Sequence, residues 1–450
     1  MSPGGHYVVY KGQVRLLVGD SGTQCVTQNL NLDYRRWLSD CHQRGLNAVH
    51  VWSLVAPRQR QDGSVIEDRY GYVYPGVTPW PRREGGPPAN DQLPQWDLTR
   101  FDEGTDPTKH YWPRLRDLCT CAKAKGMVVG ITVFFGWPKH NAPDRPDWSY
   151  HPFNVLNGGF LTDEKRITTA CQTIHSPGIE VLDQPWSDNW PPAKKTQWVW
   201  EGFADKLIRD LRPYGNVFFV FMDEHSYPEG NCGDHFLRFF RRRGALWMDW
   251  EQRRRDADLV MSGTFERDDK NADAVQGFAG TPPRPYFHLE GGPYTGDGAR
   301  TAMWTFLIGG GHYFFHDDAD QETARTGIMG YDPNVVGGDK GMQRRDWLGH
   351  ASRFCNRPSL ALDRMAPHNE IVRDGHAYCL AEPGARYLVY SMKGGRFTLD
   401  LSAAQGKQLS CRFYDPRTGR YGSAFRRTGA PSVELLKPDE RDWALDMRVE

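Results

Sequence analysis

The chain has 450 residues, which is too long for one ordinary domain but suits a β/α barrel of about 250 residues or more with one appended domain. Its 56 Lys and Arg balance 56 Asp and Glu, so no broad electrostatic field favours nucleic acid or a membrane surface as a partner. No run of 18 apolar residues and no export signal is evident. We expect a soluble protein, cytoplasmic as given, or secreted or periplasmic if a signal peptide was removed.

Eight short apolar runs, each followed by polar or Gly/Pro-rich sequence, predict the parallel strands of a (β/α)8 barrel. They cover residues 15–20, 46–53, 127–135, 216–224, 258–265, 272–278, 284–291 and 311–317. The fold class predicted is therefore α/β, a TIM barrel. Active sites of such barrels lie at the carboxyl ends of the strands, so residues that end a run are the candidates for function.

Helices are predicted between several of these strands, where apolar residues recur at a spacing of three to four. The predicted ranges are 33–44, 112–125, 198–211 and 235–255, the last beginning after Asp234 as N-cap. Arg44-Gly45 and Lys125-Gly126 are typical helix ends. The connections after the second and third strands span about 55 and about 60 residues, and connections of that length usually shape a site.

From about residue 358 the pattern changes to short alternating strands, at 377–381, 385–392, 396–401 and 409–414. This pattern predicts a small antiparallel β-sandwich. We therefore divide the chain into a barrel over 1–357 and a sandwich over 358–450. Tyr414 and Trp443 are expected to brace the sandwich against the barrel. The nine scattered cysteines include no CxxC pair and are read mostly as buried thiols.

Acidic residues end three of the predicted barrel strands. Asp20 ends the first, Asp223 and Glu224 the fourth, and Glu290 the seventh. Any one of them alone could cap a helix or pair with an arginine. Together they indicate glycosidic bond cleavage, which needs one carboxyl group to protonate the leaving oxygen and another to attack or to activate water.

Seven segments spread over nearly the whole chain carry a family resemblance: LVGDSG at 17–22, RGLNAVHV at 44–51, HPFNVLNGG at 151–159, FHLEGG at 287–292, ARTAMWTFLIGGGHYFF at 299–315, YDPRTGRY at 414–421 and DWAL at 442–445. They resemble the apiosidase-like glycoside hydrolases, which often carry a C-terminal domain described as collagen-binding. The resemblance implies a retaining mechanism on a β/α barrel, with Glu290 as nucleophile and Glu224 as general acid/base.

One position departs from the family pattern. Asp223 stands where that clan usually has Asn beside the acid/base. A second carboxylate would raise the pKa of its neighbour by like-charge repulsion and so could keep Glu224 protonated, but Asp223 could equally be the acid itself. An inverting mechanism, with carboxyl groups about 6.5–9.5 Å apart rather than about 5–5.5 Å, also stays open.

Other aromatic and polar residues near the strand ends are candidates for contacting sugar hydroxyls or stacking on the ring. They are Asp20, His50, Trp52, Trp137, His151, Asn154, Asp223, His225, His288, Tyr313 and His316. We expect a carbohydrate substrate, no cofactor and no metal, with an exo mode of action; the oligomeric state stays open. The alternative is a non-catalytic carbohydrate-binding protein on a glycosidase-like barrel.

Overall fold

The computed structural model describes residues 1–21, 26–28, 30, 32–54, 77–134, 147–162, 181–222, 232–249, 257–262, 269–291, 297–315 and 338–450. These residues form a closed parallel barrel followed by an antiparallel sheet. The predicted fold class is therefore confirmed.

Eight parallel strands close the barrel, and the last of them pairs with the first. After a hairpin of β1 (Val8–Tyr10) and β2 (Gln13–Arg15), the barrel strands are β3 (Val18–Asp20), β4 (Ala48–Trp52), β5 (Val128–Phe134), β6 (Val217–Met222), β7 (Trp247–Asp249), β8 (Leu259–Met261), β9 (Tyr286–Gly291) and β10 (His312–Phe315). Six of the eight predicted runs thus hold barrel strands in the predicted order, and a seventh, 258–265, holds β8, the sixth strand rather than the fifth.

The described helices are α1 (Tyr34–Arg44), α2 (Tyr111–Ala124), α3 (Asp147–Tyr150), α4 (Pro192–Leu211), α5 (Cys232–Arg242), α6 (Asn271–Phe278), α7 (Asp297–Ile308) and α8 (Gly338–Cys355). Asp33 begins α1 by accepting hydrogen bonds from the amides of Arg35 and Arg36, and Gly45 ends it with a left-handed φ of 102°. The predicted first helix is confirmed at both ends.

Two elements in the second half of the barrel were predicted wrongly. The predicted helix 235–255 ends at Arg242, because Gly244 takes a left-handed φ of 62° and the chain turns into β7. The predicted strand 272–278 is helix α6, whose apolar residues fit either period. The fifth barrel strand is β7, which is only three residues long and lies within the range predicted as helix.

Alternate residues of the barrel strands face two different apolar cores, one inside the barrel and one under the helices. Inward-facing side chains fill the barrel, among them Leu17, Ala48, Val128, Phe218, Val220, Met248, Leu259, Met261, Phe287, Leu289 and Phe314. Outward-facing side chains of the same strands, such as Val49, Ile131, Phe219 and Phe315, pack under the helices. Because the interior is filled with side chains, a substrate can reach the barrel only at its rim.

The C-terminal domain is one seven-stranded antiparallel sheet. Its strands are β11 (Ala366–Pro367), β12 (Val372–Glu382), β13 (Arg386–Leu399), β14 (Gln408–Asp415), β15 (Arg420–Thr428), β16 (Val433–Leu436) and β17 (Trp443–Val449). The first half of β13 pairs with β17 and its second half with β16, so the sheet folds over a core of its own. This arrangement agrees with the sandwich-like domain predicted.

The outer face of that sheet packs on the barrel helices. Alternate residues of β13 serve the two sides: Val389 lies in the core of the sheet, while Tyr390 stacks on Trp304 of α7 with ring centroids 5.4 Å apart. The Tyr414 hydroxyl donates a hydrogen bond of 2.9 Å to the carbonyl of His350 on α8. Trp443 instead donates to Asp439 and packs on the core of its own domain. Tyr414 therefore braces the barrel as expected, and Trp443 does not.

Six cysteines are free thiols in the described part of the chain, and five of them are buried: Cys41, Cys119, Cys355, Cys379 and Cys411. Over the same residues, no helix has the length and apolar character that a bilayer crossing requires.

Candidate functional site

A β-bulge distinguishes the strand that carries Glu290. His288 of β9 pairs with Tyr313 of β10, but the next pair joins Gly291 to Phe315, so two residues of β9 lie opposite the single residue Phe314. Those two are Leu289 and Glu290. Leu289 and Phe314 both belong to the core inside the barrel, whereas Phe315 belongs to the outer core. Since Gly291 pairs with outward-facing Phe315, the pleat places Glu290 on the interior side.

This carboxylate is almost completely enclosed. Glu290 is 4% exposed and lies at the carboxyl end of β9, the seventh barrel strand. Without the bulge, strict alternation from Leu289 would turn Glu290 outward, under the helices. The extra residue therefore brings an acidic group to the rim of the barrel, where the active sites of this architecture lie.

The position after Glu290 has no room for a side chain, which explains its glycine. A Cβ on Gly291 would lie 2.2 Å from the Tyr313 hydroxyl oxygen and 2.5 Å from its Cζ. A larger residue would force the Tyr313 side chain or β9 to move at the position that follows the carboxylate. Gly291 therefore makes room for the Tyr313 ring beside the bulge.

A chain of hydrogen bonds crosses the barrel rim and ends beside Glu290; we call it the rim chain. The Thr132 hydroxyl of β5 lies 2.8 Å from His50 Nε2 on β4, and His50 Nδ1 lies 3.2 Å from the Ser21 hydroxyl after β3. The Ser21 hydroxyl donates a bond of 2.5 Å to the carbonyl oxygen of Leu289. All three side chains are buried. The rim chain links strands one, two, three and seven of the barrel.

The direction of these bonds sets the tautomer of His50. The single hydroxyl proton of Ser21 is directed at the Leu289 carbonyl, so Ser21 can only accept from His50. Nδ1 must then carry a proton, and in the neutral ring Nε2 accepts from the Thr132 hydroxyl. His50 is thus held by strands on both sides, with its ring 4.6 Å from that of Trp52. Trp52 itself is fully buried.

His151 and Asn154 belong to the segment that follows α3. The Asn154 side chain accepts from the Leu156 amide at 3.0 Å and donates to the Trp148 carbonyl at 3.2 Å, so both of its ends hold the local turn. His151 accepts from the Phe153 amide at 3.1 Å through Nδ1. Burial lowers the pKa of His151 to about 3, which makes it a neutral ring.

His151 also lines a largely apolar cavity at the carboxyl end of β5. The other residues around it are Leu54, Trp80, Val133, Phe134, Phe153, Trp200 and Phe203. The apolar residues around it are buried members of the outer core.

Three of the predicted sugar contacts face away from the rim. Asp20 accepts a hydrogen bond of 3.2 Å from Trp37 Nε1 on α1 and lies 3.5 Å from Arg345 Nη1 on α8, both beneath the helices. His288 and Tyr313 lie with ring centroids 5.3 Å apart on the outer side of the barrel. Their orientation is opposite to the one that a sugar contact needs, because the pleat before the bulge directs them outward.

The remaining predicted site residues lie outside the described residues. They are Trp137, Asp223, Glu224, His225 and His316. Strand β6 ends at Met222, so Asp223 and Glu224 directly follow the fourth barrel strand. No group of three or more metal-ligating side chains occurs within the described ranges.

Two members of the rim chain, Ser21 and Thr132, were not predicted from the sequence. Thr132 lies among the apolar residues of β5, and Ser21 directly follows Asp20 at the end of β3; each position alternates with outward-facing ones. A buried hydroxyl usually implies a hydrogen-bond partner, so their inward register was the available signal.

Comparison with known proteins places the whole chain in a common fold. A family model described as "Putative collagen-binding domain of a collagenase" matches residues 367–447. A solved glycoside hydrolase family 5 protein from Bacteroides vulgatus ATCC 8482 is similar with a TM-score of 0.62 and 14% identity, covering 99% of this chain and 92% of that one. A second solved structure, named a glycoside hydrolase, has a TM-score of 0.62 and 13% identity, covering 99% and 96%. The comparison with curated proteins finds no match.

Proposed function

We propose that the protein is a glycoside hydrolase that removes a terminal sugar from an oligo- or polysaccharide with retention of configuration. The observation that carries this proposal is the bulge in β9, which brings the buried Glu290 carboxylate to the interior side at the rim. A carboxylate enclosed at the end of a barrel strand costs desolvation, and function is a common reason for keeping one there.

In the proposed reaction, Glu224 protonates the glycosidic oxygen while the Glu290 carboxylate attacks the anomeric carbon. The leaving group departs with that proton, and a glycosyl ester forms on Glu290. Glu224, now ionised, takes a proton from water, which attacks the same carbon and releases the sugar. Both carboxyl groups return to their starting states, and no cofactor is consumed.

A neutral carbohydrate is the substrate class we propose. The candidate sugar contacts are His50 and Trp52 on β4 and His151 in the segment after α3. The chain has no net charge to select a polyanion. We assign residues 1–357 to the catalytic domain and 358–450 to the accessory domain.

Kinetics of conservative variants test the proposal. Glu290→Gln and Glu224→Gln would be compared with wild type on a panel of aryl glycosides that includes furanosides and deoxy sugars. We expect Glu290→Gln to lower kcat by at least about 10³-fold, since the covalent step is lost. The exposed Glu434→Gln serves as the matched control and should retain wild-type rates.

Two outcomes would contradict the proposal. Wild-type rates in both Glu290→Gln and Glu224→Gln would remove the catalytic assignment. Binding of glycans by wild type without release of sugar from any member of the panel would instead identify a carbohydrate-binding protein.

A further inference from the structure

We propose that Ser21 is a positioning residue that fixes the orientation of Glu290 through the peptide that joins Leu289 to it. The inference rests on the proposed role of Glu290 as nucleophile. It assigns to the rim chain the task of holding the bulge in one conformation.

The position of Ser21 allows it to hold three strands at once. Its backbone amide donates a hydrogen bond of 2.8 Å to the carbonyl of Phe315 on β10, and its hydroxyl donates one of 2.5 Å to the carbonyl of Leu289 on β9. A bulge disrupts the regular ladder locally. The Ser21 hydroxyl, which follows the first barrel strand, gives the carbonyl in this bulge a hydrogen bond from outside the β9–β10 pair.

The rim chain also restricts the rotation of the Ser21 hydroxyl. The Ser21 hydroxyl donates to the Leu289 carbonyl and accepts from His50 Nδ1, so two hydrogen bonds hold it in one rotation. His50 is in turn fixed by Thr132 on β5. The three side chains of the rim chain are buried, so each of its hydrogen bonds is electrostatically stronger than it would be in water. Neighbouring hydrogen bonds also reinforce one another.

The Leu289 carbonyl and the Glu290 amide share one planar peptide unit. Holding that carbonyl therefore holds the backbone from which the Glu290 side chain starts. A misplacement of about 1 Å of a reacting group can cost about 100-fold in rate. Loss of the Ser21 hydroxyl should thus lower kcat more than it lowers substrate affinity.

Ser21→Ala tests this inference, with Ser21→Thr as the conservative rescue, since it keeps the hydroxyl. The matched control is Ser53→Ala, because Ser53 directly follows β4 and its buried hydroxyl likewise donates to a carbonyl of a neighbouring strand, that of Val133 at 2.8 Å. All three variants would be compared by kinetics on an aryl glycoside that wild type hydrolyses. Amide hydrogen exchange of peptides covering 286–291 adds a readout that needs no substrate.

We expect Ser21→Ala to lose about 10- to 100-fold in kcat with KM within about threefold of wild type, and to exchange faster over 286–291. Ser21→Thr should recover most of kcat, and Ser53→Ala should change neither quantity. Equal kcat and equal exchange in Ser21→Ala and Ser53→Ala would overturn the inference. If no aryl glycoside is hydrolysed, unchanged exchange in Ser21→Ala alone overturns it.

The failure of this inference can be separated from the failure of the proposed function. If Glu290→Gln leaves hydrolysis intact, the nucleophile assignment is wrong whatever Ser21→Ala does. If Glu290→Gln abolishes hydrolysis while Ser21→Ala matches Ser53→Ala, only the positioning role of Ser21 is wrong.

Discussion

Arg300 of α7 donates two hydrogen bonds of 2.8 Å to the carboxylate of Asp442, from Nε to Oδ2 and from Nη2 to Oδ1. The two side chains are only 3% and 5% exposed. The Tyr390 hydroxyl adds a third bond to Asp442 at 3.1 Å. Burial alone would lower the pKa of Arg300, but the hydrogen bonds and charge of Asp442 raise it, so Arg300 stays protonated. This buried ion pair joins the barrel to the C-terminal domain.

We therefore predict that Asp442→Asn lowers the free energy of unfolding by about 3 kcal/mol, because it removes the buried counterion of Arg300 and leaves that charge facing Asp297, whose side chain is 86% exposed. Urea denaturation measures the change. Glu434→Gln is the control, since its partner Arg396 lies 3.4 Å away and both side chains are more than half exposed. A surface pair of that kind contributes about 0–1 kcal/mol. Equal losses in the two variants would mean that burial does not strengthen the interdomain pair.

Stability should fall as the pH is lowered, with His151 as one cause. Burial lowers its pKa to about 3, from the value of 6.5 that is usual for a solvated histidine. Below pH 6.5 the unfolded chain binds a proton that the native state does not, so the free energy of unfolding drops by about 1.4 kcal/mol per pH unit for each such group. The loss continues down to about pH 3. His312, whose pKa burial also lowers to about 3, contributes in the same direction.

His151→Asn tests this linkage, because the Asn side chain can still accept from the Phe153 amide but does not titrate. Between pH 5.5 and 4.5 its unfolding free energy should depend on pH less steeply than that of wild type, by about one proton. His376→Asn, at an exposed position on β12, should leave the slope unchanged. A wild-type slope in His151→Asn would show that His151 does not contribute to the acid sensitivity.

The close approach at Gly291 leads to a steric prediction. Gly291→Ala places a methyl group 2.2 Å from the Tyr313 hydroxyl oxygen, so β9 or Tyr313 must move. We expect a loss of about 1–3 kcal/mol in stability and at least a 10-fold loss of kcat. In Gly395→Ala the nearest atom lies 4.0 Å from the new methyl group, and both quantities should stay near wild type. Full activity in Gly291→Ala would show that the bulge tolerates displacement.

The roles of Asp223 and Glu224 can be separated by the choice of leaving group. An aryl glycoside with a good leaving group needs little acid assistance, whereas a natural linkage needs it fully. If Glu224 is the acid, Glu224→Gln should lose far more activity on the natural linkage than on the activated glycoside. Asp223→Asn should lose similar factors on both substrates. The reverse pattern would make Asp223 the acid.

The barrel was predictable because its strands are continuous apolar runs buried on both faces, with charged or glycine residues at their ends. The failure at β7 has a local cause. A strand of three residues is too short to show a periodicity that distinguishes it from the preceding helix. Gly244, which has a left-handed φ, is the residue that marks the boundary between them.

The site was predictable only in part. The position of Glu290 at the end of a strand is visible in the sequence, but the bulge that turns it inward depends on the pairing of β9 with β10. In the same strand pair, His288 and Tyr313 face outward. Asp20 is buried against Arg345 of α8, a residue more than 300 positions further along the sequence. Tertiary pairing, rather than residue type, therefore decides which polar residues face the rim.

The proposed attack of Glu290 on the anomeric carbon can be tested through the product that Glu290→Ala forms from an activated aryl glycoside in the presence of azide. Azide can occupy the space left by the carboxylate and attack from the same side, so we expect rescued turnover and a glycosyl azide of inverted configuration. A glycosyl azide of retained configuration would contradict it, as would wild-type hydrolysis by Glu290→Ala without azide.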